Sequence, residues 1–211
     1  MLEDKKELLE LFEINTAYHE DIVDALNHGR LVSNLSYMLT RELGYPEEFC
    51  LEMADAGMLH DIGKLQIGQY LYGRRTNALK IEEIKYVRMH PTLGYEFLKD
   101  KNIGSEEFRR YILHHHENYD GSGYPDNIKG DDIPDGSKIL RVCDVYAALT
   151  SERPYRPAFD KNTTMELMID EVKNFDMKVF LAFMRVVHNE DFYLIEEYID
   201  SINMKVKESR N

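Results

Sequence analysis

Apolar residues recur at spacings of three and four along nearly the whole chain, and period-two alternation bounded by turn residues is hard to find. That pattern predicts an all-α fold, a single helical bundle. An opening helix is expected over about residues 2–13 and a longer one over about 18–43, closed by Gly44 with Pro46 starting the next. "PEEFCLEMADAGMLHD" continues as a helix that stops near Gly63. An irregular stretch, "QIGQYLYGRRTN", leads to "KIEEIKYVRMH", and Pro91 is expected to break that helix before "TLGYEFLKD". Ser105 is a predicted N-cap, with Glu106 and Glu107 in the first turn of a helix that runs up to a row of histidines. Residues 117–136 hold four glycines and two prolines, too many for a helix, so they form the longest loop, and long ordered loops tend to carry function. Further helices are expected at roughly 137–150, 164–174, 177–188 and 190–206. Residues 1–18 read as an N-terminal helix packed on, or leading into, one domain over 19–211.

Composition narrows the function classes. Asp and Glu total 39 against 26 Lys and Arg, a formal charge of -13, which disfavours duplex nucleic acid as a partner. No apolar run approaches the ~20 residues needed to span a bilayer. "MLEDKKELLELF" is too charged for a signal peptide, and the expectation is a cytoplasmic protein without membrane partners. Cys50 and Cys143 stand far apart without metal-binding spacing, so both read as plain buried thiols.

The candidate chemistry lies in histidines beside helix breaks or acidic partners: His28, His60, His90, His115 and His116. Adjacent His60 and Asp61 end an apolar helix about 100° apart, splayed so that both can reach an ion beyond its end, and the carboxylate can bridge two ions. Asp24 lies one turn before His28 on the same face. Asp144 sits in the apolar helix "KILRVCDVYAALT", where a buried carboxylate needs a cation; an ion pair with Arg141 at spacing three is the plainer alternative. Imidazole nitrogens and carboxylate oxygens without thiolate suit iron, manganese, cobalt, nickel or zinc. Lys64 emerges on the ligand-bearing side of the same helix end, placed to hold an anionic group. Arg153 and Arg156 follow the Asp144 helix, with guanidinium forks that match phosphate oxygens; two solvated arginines in a turn would look the same. His114 points about 100° from His115, and it, His19 and His188 read as ordinary side chains.

Taken together, "HDIGK" at 60–64, "HP" at 90–91, "HHENYDGSGYP" at 115–125, "DVYAALTSERPYR" at 144–156 and "FDMKVFLAF" at 175–183 resemble the HD-GYP family of metal-dependent phosphohydrolases. The resemblance spans about residues 20–187. It implies the all-α HD bundle and hydrolysis of the bacterial second messenger cyclic di-GMP to pGpG, GMP or both, by solvent activated between two divalent ions, iron or manganese first. By the same resemblance His28, His60, Asp61 and Asp144 form one ligand set. His90, His115 and His116 complete a second position, and Asp61 bridges. Lys64, Arg153 and Arg156 would contact the substrate phosphates, with Gly123 and Tyr124 of the GYP loop on the substrate side. Part of the family carries a Glu that helps hold a third ion where this chain has the shorter Asp24. The GYP loop is also a candidate surface for a signalling protein.

The chain departs from the pattern after Lys64, where "LQIGQYLYGRRTNALK" replaces an Ile-Pro-Asp turn and a later Lys-Pro-Gly. Ala147 replaces the second Asp of the family's DVFDALT, and Asn118 a commonly basic residue. Two other readings stay open: a non-catalytic cyclic di-GMP receptor or partner-binding module, and an enzyme of the same chemistry acting on another cyclic dinucleotide or a linear nucleotide.

Overall fold

A computed structural model describes residues 19–68, 81–153 and 156–210. The helix expected over 2–13 and most of the segment that departs from the family pattern after Lys64 lie outside these residues. The described residues form an all-α bundle: α1 (His19–Glu42), α2 (Glu47–Leu59), a 3-10 turn (Ile62–Ile67), α3 (Ile81–Val87), α4 (His90–Asp100), α5 (Glu106–Leu113), α6 (Asp135–Thr150), α7 (Lys161–Asp170), α8 (Met177–Val187) and α9 (Tyr193–Arg210).

Local chemistry sets the helix ends. At the end of α1 the Tyr45 amide bonds the Thr40 carbonyl and the Gly44 amide bonds that of Arg41, a paired closure that needs the positive φ of Gly44. The Gly44-Tyr45-Pro46 stretch is thus a helix–helix turn. Ser105, Asp160 and Asp176 cap α5, α7 and α8, each accepting a backbone N–H three residues on. The break expected at Pro91 falls earlier: α3 ends at Val87, and α4 starts at His90 with Pro91 in its first turn. A proline there loses nothing, because first-turn amides have no intrahelical acceptor.

Helix α6 runs through the middle of the bundle. Ile139, Leu140, Val142, Cys143, Tyr146 and Ala147 are all buried, so the helix is apolar nearly all round. It packs against α1, α5, α7 and α8. Leu31, Leu35 and Leu39 of α1 and Phe180 and Phe183 of α8 join the same core. Asp144 faces out of this core. Ala147, where the family carries Asp, is wholly within it.

Candidate metal centre

Three histidines are set by one repeated device. The Nδ1 of His60, His90 and His115 donates to the carbonyl three residues before, of Gly57, Val87 and Ile112, at 2.8, 2.7 and 2.6 Å. Since a carbonyl only accepts, Nδ1 holds the proton and Nε2 turns its lone pair into a common space, the arrangement that orients metal-ligating imidazoles. All three side chains are essentially inaccessible to solvent. What brings them together is a close backbone approach: a Cβ on Gly63 would stand 2.0 Å from the His90 carbonyl oxygen and 2.5 Å from the Gly94 nitrogen. Only glycine lets the turn after Asp61 touch the start of α4.

The donors fall into two groups, each offering ligand atoms within 4.8 Å of one another: His28, His60 and Asp144; and Asp61, His90, His115 and His116. Asp61 stands between them. Its Oδ1 faces His90 Nε2 at 3.1 Å and His115 Nε2 at 4.0 Å, while its Oδ2 faces His60 Nε2 at 3.4 Å and His28 Nε2 at 3.9 Å. Asp144 Oδ1 lies 3.0 Å from His28 Nε2 and 3.7 Å from His60 Nε2, and its Oδ2 lies 3.9 Å from His116 Nδ1. The alternative pairing of Asp144 with Arg141 is not the one adopted: Arg141 Nε donates to Asn118 Oδ1 at 3.0 Å.

Charges follow from this crowding. Burial works against a proton on His60, but Asp61 and Asp144 outweigh it and push the imidazole up to about 10. Burial would raise both carboxyls, yet Asp61 is held well below the usual range by His60 and Lys64, and Asp144 likewise by His28 and His60. His115 and His116 are driven well below the ordinary histidine value by burial first; at His115 neighbouring imidazoles add to it, and at His116 the opposing pull of Asp144 is too small to reverse it. They are neutral, ligand-competent imidazoles at pH 7.

The residues present fit divalent ions. His60 Nε2 and Asp61 Oδ1 are buried and make no hydrogen bond, and His90 Nε2 faces His115 Nε2 at 3.2 Å with both Nδ1 protons committed elsewhere. Two opposed lone pairs beside an unsatisfied carboxylate oxygen are costly unless a cation lies among them.

The glycine-rich loop is fastened beside this centre. Glu117 Oε1 accepts the amides of Asp126 and Asn127 at 2.7 and 3.0 Å, and His114 Nε2 meets Asp126 Oδ2 at 3.0 Å. Neither role shows in the sequence, because nothing in local spacing links residue 117 to partners nine and ten positions on. His114, expected to be an ordinary side chain, is buried and holds the loop. The Tyr124–Pro125 bond is cis. Tyr124 stacks on His116 with ring centroids 4.8 Å apart, and burial pushes its hydroxyl up. Gly121 has positive φ. Gly123 answers a different need, since a Cβ there would come within 2.3–2.5 Å of the Asn118 nitrogen, Glu117 Cα and His116 oxygen. Expected on the substrate side, Gly123 is buried against the main chain that carries the histidines.

The expected phosphate contacts divide. Lys64 Nζ lies 2.5 Å from Asp61 Oδ2, at the edge of the centre. Arg153 is half-buried and paired through its backbone with Arg156. Arg156 departs from the expectation: its guanidinium donates to the carbonyls of Ala148, Leu149 and Pro157 and lies over Phe159. It fastens the exit of α6, whose last carbonyls lack intrahelical donors. Asp24, half-buried on α1, lies outside both donor groups.

A family model described as "HD domain" matches residues 17–179. The chain is 35% identical over 160 residues to a cyclic di-GMP phosphodiesterase of Pseudomonas aeruginosa, covering 76% of this chain and 38% of the relative. It is 35% identical over 135 residues to the cyclic di-GMP phosphodiesterase response regulator RpfG of Xanthomonas campestris, covering 64% and 35%. Against 3'3'-cGAMP-specific phosphodiesterase 1 of Vibrio cholerae it is 31% identical over 180 residues, covering 82% and 41%. The chain thus spans about two fifths of the length of these curated relatives. Among solved structures, an HDG"Y"P protein from Bdellovibrio bacteriovorus superposes with a TM-score of 0.63 at 19% identity, over 78% of this chain and 53% of that one. The HD domain of the Listeria monocytogenes phosphodiesterase PgpH gives 0.53 at 15% identity, over 89% and 93%. These two carry the fold. The chain belongs to the HD-domain family and bears the loop motif of its HD-GYP branch.

Proposed function

We propose that this domain hydrolyses cyclic di-GMP to linear pGpG, GMP or both, as part of bacterial signalling, with two divalent ions at its centre, iron or manganese in first place. The observation that carries the reading is Asp61, whose two oxygens face two separate clusters of buried imidazoles. Such ions supply Lewis acidity, making water beside the phosphorus more acidic and offsetting charge on the phosphate oxygens.

The chain's own residues do the rest. The carbonyls of Gly57, Val87 and Ile112 keep the Nδ1 protons parked and the Nε2 lone pairs directed inward. Burial keeps His115 and His116 neutral. Lys64 places a cation beside Asp61, where a phosphate oxygen arriving at the centre meets it. Tyr124, stacked on His116, walls the site and excludes bulk water. Hydrolysis adds water across one phosphodiester: the P–O bond to a ribose 3' oxygen breaks, that oxygen gains a proton, and the phosphate keeps the hydroxyl oxygen. No side-chain nucleophile is required. This local positive character lets a chain of net charge -13 take a dianion.

The test is turnover by the full chain loaded with iron(II) or manganese under reducing conditions, with product separation. Tight binding without degradation would favour a receptor. The relatives named for 3'3'-cGAMP, at 31% and 30% identity, make that dinucleotide the second substrate to assay. No described helix is long and apolar enough to cross a membrane. A cytoplasmic location and a protein partner on the loop at 118–127 belong to the same reading.

A further inference from the structure

A cyclic dinucleotide carries two phosphodiesters in one ring, so when one lies at the donor groups the other is held close by, against the residues that flank them. The cations expected for that second phosphate are partly engaged elsewhere: Arg156 is bound to three carbonyls, and Lys64 sits against Asp61. One further cation stands at the wall. Arg88, in the short break between α3 and α4 and two residues before His90, holds its guanidinium carbon 5.2 Å from the centre of the Tyr124 ring. That ring is itself stacked on His116. The Tyr124 ring thus touches both this guanidinium and a donor of the centre. The side chain is exposed, and among the described residues it has no carboxylate partner.

We infer that Arg88 is a substrate-binding residue, its fork engaging the phosphate that is not being cleaved while the Tyr124 face holds it in place. The proposal rests on the cyclic dinucleotide reading above. An arginine lying over an aromatic ring keeps its in-plane N–H donors available, and that planar fork matches two phosphate oxygens at once. An exposed guanidinium with no carboxylate partner among the described residues also offsets the substrate's second negative charge. A contact to a guanine edge is the competing use of the same fork.

The experiment compares wild type, Arg88→Ala and Arg88→Lys as metal-loaded full chains on cyclic di-GMP, 3'3'-cGAMP and bis(p-nitrophenyl) phosphate, which has one phosphate and no base. Arg88→Ala should raise KM for both cyclic dinucleotides by the same factor, about 10- to 100-fold, with kcat little altered. The ratio of that KM to the KM for the aryl diester should shift by roughly tenfold or more, and Arg88→Lys should recover part of it, keeping charge without the fork. An unchanged ratio overturns the proposal. So does a KM change that differs between the two dinucleotides, which would assign Arg88 to a base. Loss of metal from Arg88→Ala, read by elemental analysis, would overturn it too, by making Arg88 a support of the donor groups. A wild type that cleaves only the aryl diester brings down the cyclic dinucleotide reading and this proposal with it, an outcome distinct from an unchanged ratio in an active enzyme.

Discussion

The two halves of the centre are built on different principles. His28 and Asp144 project from the middles of α1 and α6, with His60 at the end of α2, and the group has partial compensation of its own: positive charge on His60 offsets that of Asp61 and Asp144 through space, without a hydrogen bond to either. The other half stands on helix ends. His90 opens α4, His115 and His116 follow α5, and three imidazoles crowd one oxygen of Asp61. Burial keeps His115 and His116 unprotonated, so this half presents imidazole lone pairs around Asp61 Oδ1, and its cation, Lys64, sits on the other oxygen, Oδ2. The first half can stand without metal, while the second is poorly satisfied until a divalent ion arrives.

The severest way to break the comparison is to remove the residue both halves share. Asp61→Ala should empty both positions, taking bound metal from about two ions per chain to near none and kcat down roughly 10³-fold or more. Retention of even one ion would show that the halves do not depend on Asp61. A sharper cut separates them: His116→Ala should cost the ion of the helix-end half and spare the other, whereas Asp144→Asn should do the reverse, each with roughly 10- to 100-fold weaker affinity at its own position. Metal titration followed by elemental analysis reads this directly, and parallel loss in both variants would mean one cooperative site. Below these comes the support of the loop. Glu117→Ala strands the amides of Asp126 and Asn127 at about 1–3 kcal/mol each, so the variant should keep its metal, lose stability and become cleavable by protease within 118–127. Loss of metal instead would make the loop part of the donor scaffold. Lys64→Ala should likewise spare the metal while raising KM roughly tenfold.

How much of this was legible in the chain depends on the range of the interaction. His60 and Asp61 adjoin at a helix end, and Asp144 is a carboxylate in an apolar helix, so each announced a need for a cation before any fold was known. The helices were equally readable, since their apolar spacing repeats locally. The exit of α6 was not: arginines followed by prolines describe a phosphate clamp and a helix-end clasp equally well, and only the fold shows Arg156 spent on carbonyls. Gly123, placed on the substrate side by resemblance, instead supplies the absence of a side chain beside the His116 backbone, a need that no local pattern shows. Glu117 and Gly63 act on partners 9 to 31 positions away, and periodicity carries no information at that distance.

The smallest expected effect probes the self-compensation of the first half. In metal-free protein His60 has a folded value raised to about 10, against roughly 6.5 in the unfolded chain. A raised value means that the folded state binds the proton more tightly. The stabilisation is therefore full below about pH 6.5, fades as pH rises, and is gone above about pH 10. After chelation, wild type should exceed His60→Gln in Tm most at pH 6.5, and the gap should close steadily toward pH 10. The slope of that gap is the readout, because the variant's altered packing shifts Tm by the same amount at every pH. His60 is one of the charges that lower His115, but His115 and His116 are held well below the ordinary histidine value by burial first, so their titration falls below the window from pH 6.5 to 10. Metal-loaded protein should show no such slope, since an imidazole giving its Nε2 lone pair to an ion cannot also hold a proton there. A gap flat from pH 6.5 to 10 in the chelated protein would mean that His60 carries no proton, and that the helix-borne half depends on metal as fully as its neighbour.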